Sequence, residues 1–184
     1  MMTIDSLTQS KLFELVRRSL GQAVAGDDGQ NSKVTNCREV GGVFVTLRRN
    51  GKLRGCMGTF HPTGTLEESL DHAARMAACD PRFRGDPITP EEIPQLDVEI
   101  SILSPPEATS DPLSLVIGTH GIWIRHGQES GCFLPKVAVE QNWNAEEFLS
   151  NCCARKAGLP PDAWKNPDAG VFLFKTETFK QSGS

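Results

Sequence analysis

The pair Asn50-Gly51 lies between two short runs of alternating residue character, and this constrains the fold more than any other feature of the chain. On the incoming side Val43, Val45 and Leu47 alternate with Phe44, Thr46 and Arg48, the period of two that sorts side chains onto the two faces of a strand. Asn-Gly is the commonest two-residue hairpin loop, because both central positions need positive φ and both residues tolerate it. Lys52 to Gly58 is therefore the expected returning strand. With Asn50 and Gly51 as the loop, the register pairs Leu47 with Arg54 and Val45 with Cys56, which sends Arg54 and Cys56 to the same face.

The rest of the chain reads as a mixed succession of helices and strands. Leu12, Val16, Leu20 and Ala23 recur at helical spacing, with Gly21 near the end of that helix, and the polar stretch from Ala25 to Arg38 reads as a surface loop. Thr65 and Glu68 form a capping box that opens a helix to about Cys79, with Leu66, Leu70, Ala73 and Ala77 inward and Asp80-Pro81 as its stop. Thr89-Pro90-Glu91-Glu92 repeats the capping pattern for about one turn before Pro94. Leu96 to Leu103 alternates as a strand with one buried face, and Glu107 to Leu113 reads as a stretch able to link two lobes. Leu115 to Ile117 and Ile122 to Ile124 are expected as short strands about a turn at Thr119-His120-Gly121, with another reversal in His126 to Gly131. Asn144 and Glu147 cap a helix that turns Phe148, Leu149 and Cys152 inward and closes at Gly158; Val171 to Phe179 is a last strand. Strands and helices do not alternate regularly, so the expected class is α+β, a mainly antiparallel sheet flanked by helices.

A length of 184 residues suits one domain, at most with a smaller lobe of its own. The formal net charge of −4 argues against a surface built for phosphate backbones, since nucleic-acid affinity comes from clustered Lys and Arg. Trp123, Trp143 and Trp164 are accordingly read as core or interface residues and not as base-stacking platforms. No stretch reaches membrane-spanning length, and Met1 to Ser10 lacks the cationic start and apolar run of a secretory signal. Six cysteines, Cys37, Cys56, Cys79, Cys132, Cys152 and Cys153, show no C-x-x-C spacing, so they are expected as reduced thiols in the cytoplasm, with no metal site.

Within the hairpin, a guanidinium beside a thiol favours the thiolate, and Gly55 and Gly58 are expected to leave backbone amides open to a ligand or anion. Arg54, Gly55 and Cys56 thus outline a small, thiol-bearing, anion-binding pocket. The competing structural reading has Cys56 filling a core gap beside Val45 and Leu47 while Arg54 extends to the surface. His120, at a turn, is a candidate proton carrier or else a turn residue. Arg82, Glu99 and Glu140 are further ligand-binding candidates, weighed against structural or solvated ion pairs.

The run from Gly42 to Thr59 resembles the hallmark segment of the AMMECR domain family, also called AmmeMemoRadiSam system protein A. Its usual Leu-Arg-Gly-Cys-Ile-Gly signature falls on Leu53 to Gly58, with Met57 in place of isoleucine. The resemblance continues through Asp80-Pro81-Arg82-Phe83, the strand Leu96 to Ser104 with Pro105-Pro106, His120 to Arg125, Ser130 to Pro135 and Gly158 to Trp164, covering about residues 8 to 180 in one order. Cys132 and Arg84-Gly85-Asp86 depart from the family's commoner residues. The resemblance implies a two-lobed α+β fold with a cleft near the Leu53 to Gly58 strand, and association with a Memo-type protein and a radical SAM protein. It implies no defined reaction or cofactor. Two functions follow as expectations: a thiol-dependent enzyme or catalytic subunit acting on a small anionic substrate through Cys56, with Arg54 and His120 in support, or a non-catalytic carrier or adaptor for those partners.

Overall fold

Asp5 opens α1 (Ser6–Val24) by accepting the free amides of Leu7 and Thr8, and Leu12, Val16 and Leu20 line its buried side. In the computed structural model, which describes residues 4–27, 40–60 and 64–184, this helix packs on α2 (Leu66–Ala78), and α2 packs on β1 (Gly42–Arg49) and β2 (Lys52–Phe60). The expected capping box of α2 is present with both of its bonds, Glu68 N–H to Thr65 Oγ1 and Thr65 N–H to the Glu68 carboxylate. Most of the loop expected from Ala25 to Arg38, including Cys37, lies outside the described residues.

These elements belong to the first of two compact units, which runs to Leu103 and takes in Glu177–Ser184. Its strands are ordered β2-β1-β3, with β3 (Asp97–Leu103) followed by the end of β7 (Gly170–Gln181). Val43, Val45, Leu47, Val98, Ile100 and Ile102 share one face and form a single core with the inward residues of α1 and α2. The expectation of one buried face for β3 is corrected: Glu99 and Ser101, on the other face, are buried too, Glu99 paired with Lys180 at 3.5 Å and Ser101 bonded to Thr178 at 3.2 Å. Alternation reports which face is apolar, not whether the polar face is uncovered.

The second unit, Ser104–Thr176, has its own core around Ile122, Ile124, Phe133, Phe148 and Leu149. β5 (His120–His126) pairs with β6 (Glu129–Phe133) on one side and with the first part of β7 on the other. The stretch Glu107 to Leu113, read as able to link two lobes, lies inside this unit, and its first two residues form β4 (Glu107–Ala108), which pairs with Leu173 and Phe172 of β7. Leu115 to Ile117 is not a strand. Leu115 is buried as a single anchor, and the Val116 carbonyl accepts from the amides of Thr119 and His120, so the segment is a turn. A short helix that the periodicity did not reveal, α3 (Pro135–Gln141), precedes the expected Asn144-capped α4 (Ala145–Cys152). Gly158, at φ +67°, ends the helical stretch after α4, as its position suggested.

Candidate functional site

The Asn50-Gly51 turn forms as expected, with φ of 50° and 75°, and Arg49 pairs with Lys52 and Arg48 with Leu53. Beyond that the expected register fails. One residue bulges out of β2, so Leu47 faces Gly55, Thr46 faces Cys56 and Val45 faces Met57. The extra residue is Arg54. A bulge leaves one residue outside the ladder and shifts every later partner by one.

Arg54 is accordingly not the thiol's neighbour in the ladder. Its Nε and Nη2 grip both carboxylate oxygens of Glu92 at 2.6 and 3.0 Å, and its Nη1 meets Asp86 at 2.6 Å. Arg54 and Glu92 are both largely buried, 11% and 6% exposed at the side chain. This bidentate pair ties the bulge to the segment before β3, and it explains why Glu92 does not cap a helix. The guanidinium is engaged in structure, not held open for a ligand.

Cys56 is half-buried on the sheet face opposite the helices. Its Sγ lies 3.2 Å from Thr46 Oγ1, and Thr46 is itself buried. Thr46 also faces Glu99 on β3, so Cys56, Thr46 and Glu99 form one row across three strands, ending at Lys180. Glu99, a sequence candidate, thus does share a face with Cys56, two strands away.

The outward side of β2 at Cys56 is finished by Asp80 and Arg82. Asp80 Oδ2 accepts from the Cys56 amide at 3.0 Å, and Arg82 Nη2 donates to the Cys56 carbonyl at 3.2 Å. The two side chains hold each other at 2.6 Å, replacing a neighbouring strand at that residue. An outward-pointing backbone at Cys56 also makes Cys56 and Thr46 a non-hydrogen-bonded pair, in which side chains stand closest. In a hairpin expected to leave amides open near Gly55 and Gly58, the Cys56 amide is thereby occupied by the protein's own carboxylate. The Asp80 carboxyl is pulled down to about 2, chiefly by the Arg82 hydrogen bond and then by the Cys56 and Arg82 amides, against the opposing effect of burial.

The glycines do other work than expected. Gly55 is buried, and a Cβ there would lie 2.1 Å from the Ala77 carbonyl oxygen, so it is the point where α2 rests on the sheet. Gly58 is exposed, but the Phe44 ring and the Val43 carbonyl occupy the space a Cβ would need. In the second unit, His120 Nδ1 accepts the Val116 amide at 3.0 Å and closes the turn before β5, while Glu140 is exposed on α3. Both belong to the second unit, and Cys56, Thr46 and Glu99 to the first. Thr46 and Asp80 are the site residues that sequence reasoning missed. Asp80 carried a signal, an acid two positions before an arginine at a helix stop, whereas Thr46 looked like an ordinary strand residue. Among the described residues, no three His, Cys, Asp or Glu side chains gather as a metal site.

The family model described as AMMECR1 matches residues 13–179. A protein of Methanothermobacter thermautotrophicus is 44% identical over 153 residues, 79% of this chain and 78% of that one. Protein TK0174 of Thermococcus kodakarensis is 44% identical over 151 residues, 76% of this chain and 72% of its own. The crystal structure of an uncharacterised protein, PH0010 of Pyrococcus horikoshii, superposes with a TM-score of 0.80 at 39% identity, covering 93% of this chain and 90% of that one.

Proposed function

The chain belongs to the AMMECR1 family, and on that footing we propose that it is a thiol-dependent enzyme or catalytic subunit that acts on a small substrate through Cys56. One observation carries the reading: a half-buried thiol stands on the sheet face away from the helices, its sulfur 3.2 Å from the Thr46 hydroxyl and its backbone clamped on the outward side by Asp80 and Arg82. A nucleophile needs partial access, a fixed position and polar neighbours, and a core-filling cysteine, though fixed, lacks the access and the polar neighbours. The second unit holds three further thiols. Burial pushes Cys132, Cys152 and Cys153 up, away from the reactive thiolate. Such a thiol suits a reducing compartment, and the cytoplasm is the one we assign it. No helix among the described residues is long and apolar enough to cross a membrane.

The test is alkylation by iodoacetamide from pH 6 to 9, followed by peptide mass spectrometry. Cys79, exposed at the end of α2, is the internal standard. Cys56 is expected to react faster than Cys79 at the acidic end, and Cys132, Cys152 and Cys153 to lag both. Reaction of Cys56 no faster than Cys79 there would sink the thiol reading. A second reading, a carrier that holds a small molecule for Memo-type and radical SAM partners, is favoured by the hydroxyl, not a base, that touches the sulfur. A stable mass adduct on Cys56 without turnover would select it.

A further inference from the structure

Arg54, the arginine first read as recognising an anion at the hairpin, has its guanidinium committed to Glu92 and Asp86. Arg82 is arranged differently. Its Nε donates to both Asp80 oxygens at 3.0 and 3.2 Å, and its Nη2 donates to Asp80 Oδ2 at 2.6 Å and to the Cys56 carbonyl at 3.2 Å. That occupies one edge of the planar fork. Nη1, with two N–H donors, has no hydrogen bond to any described residue, and the side chain is 58% exposed. An arginine normally loses considerable rotamer freedom on gripping a ligand; one already pinned along its other edge loses less. The pinning is local as well: the Asp80 carboxylate also caps the Arg82 amide at 3.0 Å, and the guanidinium stacks over Phe83 at 5.7 Å.

The pinned arginine is also bonded to the residue that carries the thiol. Its Nη2 holds the carbonyl of Cys56 itself, so guanidinium and sulfur are separated by no more than the span of one residue and one hydrogen bond. Negative charge on Cys56 counts among the influences that raise the Arg82 guanidinium, behind the Asp80 hydrogen bond and charge. Resting on the thiol reading above, we propose that Arg82 Nη1 is the anion-recognising group of the Cys56 site, and that the site takes small carboxylates whose electrophilic carbon lies a bond or two from the carboxylate. Asp80 is then a positioning residue, acting through Arg82. In the reaction of such a ligand the Cys56 thiolate forms a sulfur–carbon bond, the leaving group departs with its electron pair, and the thiol proton passes to solvent.

Iodoacetate and iodoacetamide test this directly, because they place the same carbon and leaving iodide beside a carboxylate in one case and a neutral amide in the other. In the wild-type protein, the iodoacetate to iodoacetamide rate ratio at Cys56 should exceed that at Cys79 by about tenfold, the scale of one charge-assisted hydrogen bond. Acetate, unreactive but carboxylate-bearing, should slow modification of Cys56 and not of Cys79. Arg82→Gln should bring the ratio at Cys56 down to that of Cys79 while leaving iodoacetamide reactivity measurable. The wild-type ratio and the acetate protection stand even where the variant folds poorly. Cys56 reacting readily with iodoacetamide, but with no excess of iodoacetate over the Cys79 ratio, overturns this inference alone. Cys56 inert to both reagents overturns the thiol reading and this inference with it.

Discussion

Asp80 carries more of the site than its single carboxylate suggests, since it accepts from the Cys56 amide, the Arg82 amide and the Arg82 side chain. Its side chain is 1% exposed, so these bonds act with little screening by water. A carboxyl held at about 2 when folded and at the ordinary 3.8 when unfolded stabilises the fold fully above about pH 4. That contribution declines as pH falls through the interval toward 2, because protonation then favours the unfolded chain. Asp80→Asn is expected to cost about 2 kcal/mol at pH 6, the equivalent of nearly two pKa units, and much less at pH 2.5. Urea unfolding of both proteins at the two pH values measures it. An equal deficit at both would show that the carboxylate charge contributes nothing.

Among the elements, the β2 strand shows how a bulge and a glycine together place a side chain. The bulge at Arg54 turns Cys56 to the face away from α2, and Gly55 brings the backbone against Ala77. A methyl at Gly55 cannot be accommodated by a flexible side chain, because the atom in its way is the helix carbonyl oxygen 2.1 Å off. Gly55→Ala is therefore expected to cost about 3 kcal/mol, the upper range for overpacking, and to lower Tm by roughly 6 to 12 °C. Gly51→Ala is the comparison, since nothing lies within 4 Å of its Cβ position and the φ of +75° is its only obstacle. It should cost about 1 to 2 kcal/mol. Calorimetry that ranks Gly51→Ala as the worse of the two would remove the close approach of α2 as the reason for Gly55. The order of these elements was legible from capping and turn residues such as Thr65, Asn144 and Gly158. The Leu115 to Ile117 turn was not, because a single buried anchor between exposed neighbours imitates a strand of three.

On the scale of the molecule, two separate hydrophobic cores and an acidic balance define what the chain offers other molecules. A net charge of −4 leaves no surplus of cations to displace counterions from a phosphate backbone. Fluorescence anisotropy at physiological salt is expected to detect no saturable binding to duplex DNA or structured RNA. A dissociation constant in the nanomolar range would contradict this. Any charge-assisted recognition is then local, as proposed for Arg82, and not a property of the overall field.

The sequence alone determined the α+β class, the hairpin turn, the capped helices and the presence of Cys56 within the signature, because periodicity, capping chemistry and positive-φ residues act over a few neighbouring positions. It did not determine which arginine bonds to the Cys56 residue. Arg54 precedes Cys56 by two residues and Arg82 follows it by twenty-six, and only the fold decides between them. One bulged residue shifted the ladder, two carboxylates distant in sequence, Asp86 and Glu92, engaged Arg54, and a third, Asp80, set Arg82 against the Cys56 backbone. Those outcomes depend on the pairing of segments far apart in the chain, and no local pattern encodes such pairing.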